Sequence, residues 1–167
     1  RLNYLTVGGT PFILDEPQAT NLLPQSEALS NGSFFSISNA TVTNVSILNP
    51  ANLTGCTEFR LVNATTNNQY LRLSGNATYA SGVTQSYSLF IKYGSFQFCK
   101  LTYLNFATSS SVTVIYDLIN GIVSNTLIVG GGSVANASKI ESLQNGWFRI
   151  SISSSLSSSA GNAMNFQ

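Results

Sequence analysis

The 167-residue chain contains no histidine, and charged side chains make up only 8% of it. Without histidine the usual general base of enzymes is missing, and triads of the Ser-His-Asp type are excluded. The few carboxylates offer no obvious catalytic pair. Asp15 and Glu16 are neighbours in an extended segment, so their side chains point in opposite directions. Asp117 precedes a tight turn, where Asp is a common turn former, and would meet Glu141 only through tertiary folding. We therefore expect a protein that is not an enzyme.

The scarce charges are also balanced and scattered along the chain. Seven basic residues stand against six acidic ones, which gives a formal net charge of +1. This is not the basic footprint that binding to a phosphate backbone requires, so we expect no nucleic-acid partner. No apolar run approaches the roughly 20 residues needed to span a bilayer, and we expect no membrane partner either. A neutral polar surface suits neutral polar partners such as sugars, or a hydrated protein interface.

Cysteines and metal ligands are few. Cys56 and Cys99 are the only two cysteines. They permit one disulfide, but their surroundings have none of the spacings typical of a metal site. We interpret them as small buried thiols, since free cysteine packs like a small hydrophobic residue. No Asp-rich loop predicts calcium binding, although a structural calcium held mostly by backbone carbonyls is compatible with the sequence, with its ligands unknown. We expect no other cofactor.

What the chain has in abundance is short alternating runs that are rich in β-branched and aromatic residues. Gly, Asn and Ser separate these runs, and no stretch shows a convincing helical period. The pattern predicts ten strands, at residues 34–38, 41–47, 58–62, 70–74, 86–93, 96–106, 111–118, 122–129, 138–143 and 147–153. Strands at this spacing predict an all-β fold, and we favour a jelly-roll β-sandwich of two antiparallel sheets.

The two ends of the chain differ from its middle. Residues 1–20 carry Gly8-Gly9 and two prolines without a sustained period, so we interpret them as an extended arm or linker that leads into a sandwich over residues 21–167. A Ser-rich loop near the end is followed by the start of a further strand, 164–167. An unpaired strand there would leave an open sheet edge, so we expect more chain or a neighbouring subunit to cover it. Gly130-Gly131-Gly132 predicts a flexible hairpin tip.

Three segments together resemble a known family. "LDEPQATNLLPQSEALS" (14–30) resembles the "EPQ-x-TNLL-x-x-SE" opening of domains found in bacteriophage fibre and other virion proteins. "YDLINGIVSN" (116–125) is similar to the "D-L-x-x-G-x-V" hairpin of that family, and "ESLQNGWFRISIS" (141–153) to its "NGWYR-x-S-[IV]" strand. The three occur in the family's order and at similar spacing, so the resemblance spans roughly residues 14–167. One departure is "PQSEALS", where an aromatic residue commonly follows "SE", and this affects local packing rather than the fold.

The resemblance implies a fold and a setting. The fold would be a jelly roll like that of carbohydrate-binding modules. The setting would be a trimeric phage fibre, or a decoration of the capsid or tail, on the surface of a virion whose proteins are made in the cytoplasm of a bacterial host. The implied activity is attachment to surface glycans.

The candidate binding residues begin with the strand "WFRISIS". Since successive side chains alternate, Phe148, Ile150 and Ile152 share the core face, while Trp147 and Arg149 point away from it. An aromatic ring beside a guanidinium can stack on the apolar face of a sugar while the guanidinium donates hydrogen bonds to its hydroxyls. The pattern therefore indicates a shallow glycan site.

Packing is the competing interpretation of the same two residues. Trp147 follows the turn Asn145-Gly146, where an indole commonly covers the end of a sandwich or packs under an extended arm. Arg149 would then pair with Glu27 or Glu58 across the sheet, with its stem on the Trp147 ring. The sequence alone leaves both interpretations open.

A similar split marks two other strands. In "QYLRLSG" the leucines face one way, and Tyr70 and Arg72 the other. In "SLFIKY", Phe90 and Lys92 lie opposite the apolar residues Leu89 and Ile91. We add Tyr70, Arg72 and Lys92 to the candidate carbohydrate-binding residues.

Two functions from different classes remain. The first is a non-catalytic virion domain that binds cell-surface or environmental glycans, with weak single sites multiplied by copy number. The second is a purely structural assembly module of a phage fibre or capsid that binds no sugar and pairs with neighbouring subunits. In either case the resemblance implies other virion subunits as partners, in a homotrimer. An exposed aromatic residue in a groove favours the first, and burial of that residue at a symmetric interface favours the second.

Overall fold

The computed structural model describes residues 4–7, 10–13, 35–50, 54, 56–61, 70–73, 82–106, 108–130, 133–156 and 162–167. Within this part of the chain, every regular element is a β-strand except one 3-10 turn at Gln144–Gly146. The strands are β1 (Tyr4–Val7), β2 (Thr10–Ile13), β3 (Phe35–Ser38), β4 (Ala40–Val45), β5 (Cys56–Leu61), β6 (Tyr70–Leu73), β7 (Gln85–Lys92), β8 (Phe98–Asn105), β9 (Ser110–Asp117), β10 (Ile122–Val129), β11 (Ser133–Ser142), β12 (Trp147–Leu156) and β13 (Asn162–Phe166). None of these segments includes a helix of the length and apolar character that a bilayer crossing needs.

The strands form antiparallel sheets that pack together, which confirms the all-β sandwich. A six-stranded sheet has the order β10-β9-β8-β13-β6-β3, and a three-stranded sheet has the order β11-β12-β7. Two further pairs, β1-β2 and β4-β5, complete the arrangement. The jelly-roll order of connections stays a prediction.

The core forms because alternate residues of each sheet face the other sheet. In β8 the side chains switch strictly between buried and half-exposed, and Leu101 is fully buried. The three-stranded sheet contributes Ile150 and Ile152 of β12 to the same cluster. Burying an aliphatic side chain of this size contributes about 1.5–3 kcal/mol relative to leaving it in water. The period-two pattern of the sequence is therefore the pattern that drives the two sheets together.

Two tyrosines connect the sheets by hydrogen bonds as well as by packing. The Tyr116 hydroxyl of β9 donates to the backbone oxygen of Ser151 in β12, at 2.7 Å. The Tyr103 hydroxyl of β8 donates to the Gln85 side chain of β7. Burial, and to a lesser degree the neighbouring Cys99, raises the pKa of Tyr116, so this hydroxyl keeps its proton at neutral pH.

Two short strands lie in the amino-terminal region expected to be an extended arm. β1 and β2 pair antiparallel, with Val7 opposite Thr10. A Gly-Gly dipeptide between two β-forming runs, here Gly8-Gly9, is a sequence signal of a two-residue hairpin. Residues 1–3, 8–9 and 14–34 lie outside the described residues, so the rest of the predicted arm and the first family-like motif stay untested.

The last strand, β13, pairs with two other strands of the chain. β13 lies inside the six-stranded sheet, where it pairs with β6 on one side and with β8 on the other. The backbone of Gln167 continues this pairing through two hydrogen bonds with Lys100. The pairing with β8 covers the whole of β13, whereas the pairing with β6 covers Asn165 and Phe166. The expectation that more chain or a neighbouring subunit covers an edge here stays a prediction.

The glycine-rich stretch after β10 connects two sheets, so the predicted hairpin tip is wrong. β10 belongs to the six-stranded sheet and β11 to the three-stranded sheet. Gly130 has a positive φ of 79°, and a Cβ placed there would lie 2.7 Å from the Cβ of Ser110. Only glycine fits this close approach without a shift of the backbone. Residues 131 and 132 lie outside the described part.

Candidate functional site

The solvent side of the three-stranded sheet gathers most of the candidate residues. We call it the β12 face. Antiparallel register places its alternate residues in cross-strand rows, each of which runs from β7 through β12 to β11. The rows are Phe90–Arg149–Glu141, then Ser88–Ser151–Lys139, then Ser86–Ser153–Ala137, with Lys92 opposite Trp147 at the other end. Side chains directly opposite each other in such rows are close enough to interact.

The centre of the β12 face is an exposed aromatic ring beside a guanidinium. Phe90 is 57% exposed, although an apolar ring of this size is normally buried. Its cross-strand partner Arg149 has a side chain that is 50% exposed. On the other side of Arg149, its Nη1 lies 4.0 Å from Oε2 of Glu141, and its Nη2 donates to Oγ of Ser88 at 3.5 Å. Both contacts are long, so the guanidinium keeps donor capacity for a ligand.

Trp147 lies at one end of the β12 face, but it is buried. The residue is only 7% exposed and does not belong to the core cluster between the sheets. Its indole N–H donates to the backbone oxygen of Leu48 at 3.0 Å, and the Gln144 amide donates to the backbone oxygen of Pro50 at 3.1 Å. The segment 46–50 therefore contacts the end of the face at which Trp147 lies. Of the two interpretations of Trp147, the geometry favours packing, and the ring offers little surface to a ligand.

Of the two partners expected for Arg149, Glu58 pairs with Arg60 instead, at 3.2 Å. Glu27 lies outside the described residues, so its pairing with Arg149 stays a prediction. The carboxylate near Arg149 is Glu141, its direct neighbour across the β11–β12 ladder. The pattern of the sequence did not predict Glu141 as the neighbour of Arg149, because it does not give the register of β11 against β12.

The β12 face carries a concentration of charge. Lys139 approaches Glu141 to 2.6 Å, and the hydrogen bond and charge of Lys139, together with the charge of Arg149, lower the pKa of the Glu141 carboxyl. Lys92 adds a further cation, and no ion pair of Lys92 occurs among the described residues. Among the described residues, three cations and one carboxylate thus give this face about two net positive charges, in a chain whose formal net charge is +1.

Tyr70 and Arg72 lie on the opposite outer face of the sandwich. Their neighbour Leu71 points into the core, so the two polar-ended side chains point out of the six-stranded sheet. The Arg72 guanidinium stacks over the rings of Tyr70, at 4.3 Å, and Phe106, at 4.9 Å. The five predicted residues therefore divide between two faces, and a ligand that contacts Arg149 and Lys92 is out of reach of Tyr70 and Arg72.

The residue that sequence reasoning left out of the site is Phe90. Its alternation with Leu89 and Ile91 had placed it beside Lys92 on the outward side of β7. An aromatic residue at an outward position was the available signal. What was missing was the pairing of β7 with β12, which brings Phe90 against Arg149.

The carboxylate of Asp117, which lies outside the β12 face, has a structural role in a turn. Asp117 is buried and accepts hydrogen bonds from the backbone N–H groups of Ile119 and Asn120, and from the side-chain amides of Asn120 and Gln97. These bonds, the one from the Asn120 backbone first, lower the pKa of the carboxyl. Asp117 thus closes the β9–β10 turn, as its sequence context indicated.

Neither cysteine forms a disulfide, and no metal-binding cluster is formed by the described residues. Cys56 and Cys99 are both free. Burial raises the pKa of the Cys99 thiol to about 12, so it stays protonated and unreactive. Across the described segments, no group of three or more Cys, Asp or Glu side chains comes together.

No protein-family model matches this chain, and none of the curated proteins gives a significant match.

Proposed function

We propose that the chain is a non-catalytic domain of a phage virion, carried on a fibre or on a decoration of the capsid or tail, that binds cell-surface or environmental glycans through the β12 face. One observation carries the binding part of the proposal. Phe90 is 57% exposed and lies directly opposite the half-exposed Arg149. An exposed ring and a charged donor side by side meet the two requirements of a sugar, an apolar surface and a hydrogen-bond donor.

The rest of the β12 face fits a shallow, weak site. Serine hydroxyls occupy two further rows of β7 and β12, Ser88–Ser151 and Ser86–Ser153, and Ser86 donates to Ser153 at 3.1 Å. Hydroxyl groups of this kind can both donate to and accept from sugar hydroxyls. A shallow site gives modest affinity, which many copies on one particle multiply through high effective concentration.

The virion setting is supported by the sequence resemblance alone. Its third motif, "NGWFRISIS", supplies the centre strand of the β12 face, including Arg149. The turn before that strand has positive φ angles at Asn145 and Gly146, which suits an Asn-Gly pair. The motif thus contributes to the proposed site in two ways, since its Asn-Gly turn sets the start of β12 and its strand carries Arg149.

The test of glycan binding is a glycan array probed with the labelled protein and with two matched variants. We expect Phe90→Ala to reduce binding by about two- to tenfold, since stacking on an aromatic ring contributes about 0.5–1.5 kcal/mol. Phe98→Ala is the control, because Phe98 is an equally exposed phenylalanine on the six-stranded sheet. Equal loss in both variants, or no bound glycan at all, contradicts the proposal.

A second candidate function, the assembly module, is favoured by the edge strand β10. This strand pairs only with β9 among the described strands and carries no charged residue. Leu127, Ile128 and Val129 are each about half exposed, on both sides of the strand. Natural edge strands usually carry charges or proline that prevent pairing between chains.

The oligomeric state distinguishes this second candidate. If β10 pairs with another copy, Leu127→Lys will shift the mass measured by light scattering toward the monomer. Ile119→Lys is the control, since Ile119 is exposed in the turn before β10. A protein that is monomeric before substitution, or whose mass is unchanged by Leu127→Lys, contradicts assembly through β10.

A further inference from the structure

The charges of the β12 face are not those of a surface for neutral sugars. Lys92, Lys139 and Arg149 come from three separate strands, and they are three of the seven basic residues of the chain. The only carboxylate in the rows they occupy is Glu141. The fold thus gathers basic side chains that are scattered in the sequence.

The three cations of this face differ in how closely they approach the Glu141 carboxylate. Glu141 is held mainly by Lys139, at 2.6 Å, whereas Arg149 is 4.0 Å away from it. Lys92 has no ion pair within the described residues. The two cations that remain available, Lys92 and Arg149, are the neighbours of Phe90 along β7 and across to β12. Neighbours of this kind lie roughly 5–7 Å apart, so both cations border the exposed ring.

We infer that the glycan bound by the β12 face is acidic and carries a carboxylate, as uronic and sialic acids do. This inference rests on the proposed function. Phe90 packs against the apolar face of the sugar ring, Arg149 donates to the carboxylate, and Lys92 adds a second positive charge. The planar guanidinium suits a carboxylate because two parallel N–H groups meet its two oxygens.

The same charges argue against more highly charged ligands. Glu141 lies next to Arg149 and repels a dianion more strongly than a monoanion, so a carboxylate fits better than a phosphate monoester. A net charge of about +2 is also far below what a nucleic-acid backbone requires. The structure therefore favours a singly charged group on a sugar.

The experiment uses two copies of one glycan array, of which one has been treated to convert every carboxylate to its methyl ester. Esterification removes the charge and keeps the sugar. We expect the protein to bind carboxylated glycans on the untreated copy, and to lose this binding on the esterified copy. Binding to neutral glycans, or binding that survives esterification, overturns the acidic specificity and leaves glycan binding intact. No bound glycan on either copy overturns both.

Variants give a second, independent test on a glycan bound in the array. Arg149→Gln should weaken affinity about tenfold, as expected for loss of a hydrogen bond to a charged group. Lys92→Gln should weaken it by about threefold, because an exposed charge contributes less. Arg60→Gln, in an exposed ion pair on β5, is the control and should leave affinity unchanged.

Glu141→Gln gives a change of opposite sign. Removal of this carboxylate takes away the repulsion of an anionic ligand and releases Arg149, so affinity should rise by about threefold. A merely structural role of Glu141 would give unchanged or weaker binding, and either result contradicts the inference. Unchanged binding in both Arg149→Gln and Lys92→Gln contradicts it as well.

Discussion

Phe90 and Arg149 lie directly opposite each other in the antiparallel ladder of β7 and β12, and both side chains are at least half exposed. On the inner side of the same two strands, Leu89 pairs with the fully buried Ile150. One pair of strands therefore contributes to both the core and the candidate site. This makes it possible to separate variants that affect binding from variants that affect folding.

The division of the candidate residues between two faces predicts that they act independently. Tyr70→Ala and Arg72→Gln change only the opposite face, where the guanidinium stacks on Tyr70 and Phe106. We expect both variants to keep the glycan affinity of the unsubstituted protein, measured on a glycan whose binding Phe90→Ala weakens. If Tyr70→Ala weakens that same binding, the ligand does not lie on the β12 face.

Trp147 is predicted to affect stability rather than ligand contact. Trp147→Phe removes the indole N–H and leaves the Leu48 carbonyl unpaired, which should lower the free energy of unfolding by about 1–3 kcal/mol. Trp147→Ala should cost about 3–5 kcal/mol, because a cavity is added. Urea denaturation measures both. Phe90→Ala is the exposed control and should change the free energy of unfolding by less than about 0.5 kcal/mol.

Glycan binding by the Trp147→Phe variant could contradict this prediction. If Trp147→Phe stays folded but loses glycan binding, the indole contacts the ligand and the packing interpretation is insufficient.

The hydrogen bond from Tyr116 to Ser151 predicts a measurable link between the sheets. Tyr116→Phe keeps the ring in the core but removes the donor, so the free energy of unfolding should fall by about 0.5–1.5 kcal/mol. Tyr93→Phe removes a hydroxyl from an exposed tyrosine and serves as the control. Equal denaturation midpoints for the two variants would show that the inter-sheet bond contributes nothing.

Asp117 predicts a loss of stability in acid. Because its pKa is lowered in the folded state, its ionised form stabilises the fold at every pH above the unfolded value of about 3.9. That contribution disappears as the pH falls through the lower, folded pKa. Asp117→Asn should therefore be less stable than the unsubstituted protein at pH 7, and the difference should shrink below about pH 4.

Denaturation curves recorded across this pH range measure the effect of Asp117→Asn. Glu58→Gln, which changes an exposed carboxylate, is the control and should alter stability little at pH 7. A difference for Asp117→Asn that stays constant down to pH 2 would contradict the assignment.

Much of the fold was predictable because the signals are local. All ten predicted strands are present, and Ile122–Val129 has the predicted bounds. Alternation also placed Ile150 and Ile152 inward and Arg149 outward. The failures concern connections. After β10 and Gly130 the chain enters the other sheet as β11, and β13 pairs with strands that are distant in sequence. Turn residues indicate where a strand stops, but they do not identify the next neighbour in the sheet.

By itself, the sequence determined the class of the fold, most of the strands and the side of those strands that faces the core. These properties follow from period-two alternation, which each of those segments expresses on its own. Only the tertiary structure decided that Phe90, Arg149 and Glu141 share one row, that the Trp147 indole bonds to the Leu48 carbonyl, and that Tyr70 faces away from them. The reason is physical. Sheet register depends on the packing of all the strands together, so no single segment can specify which residues it will meet.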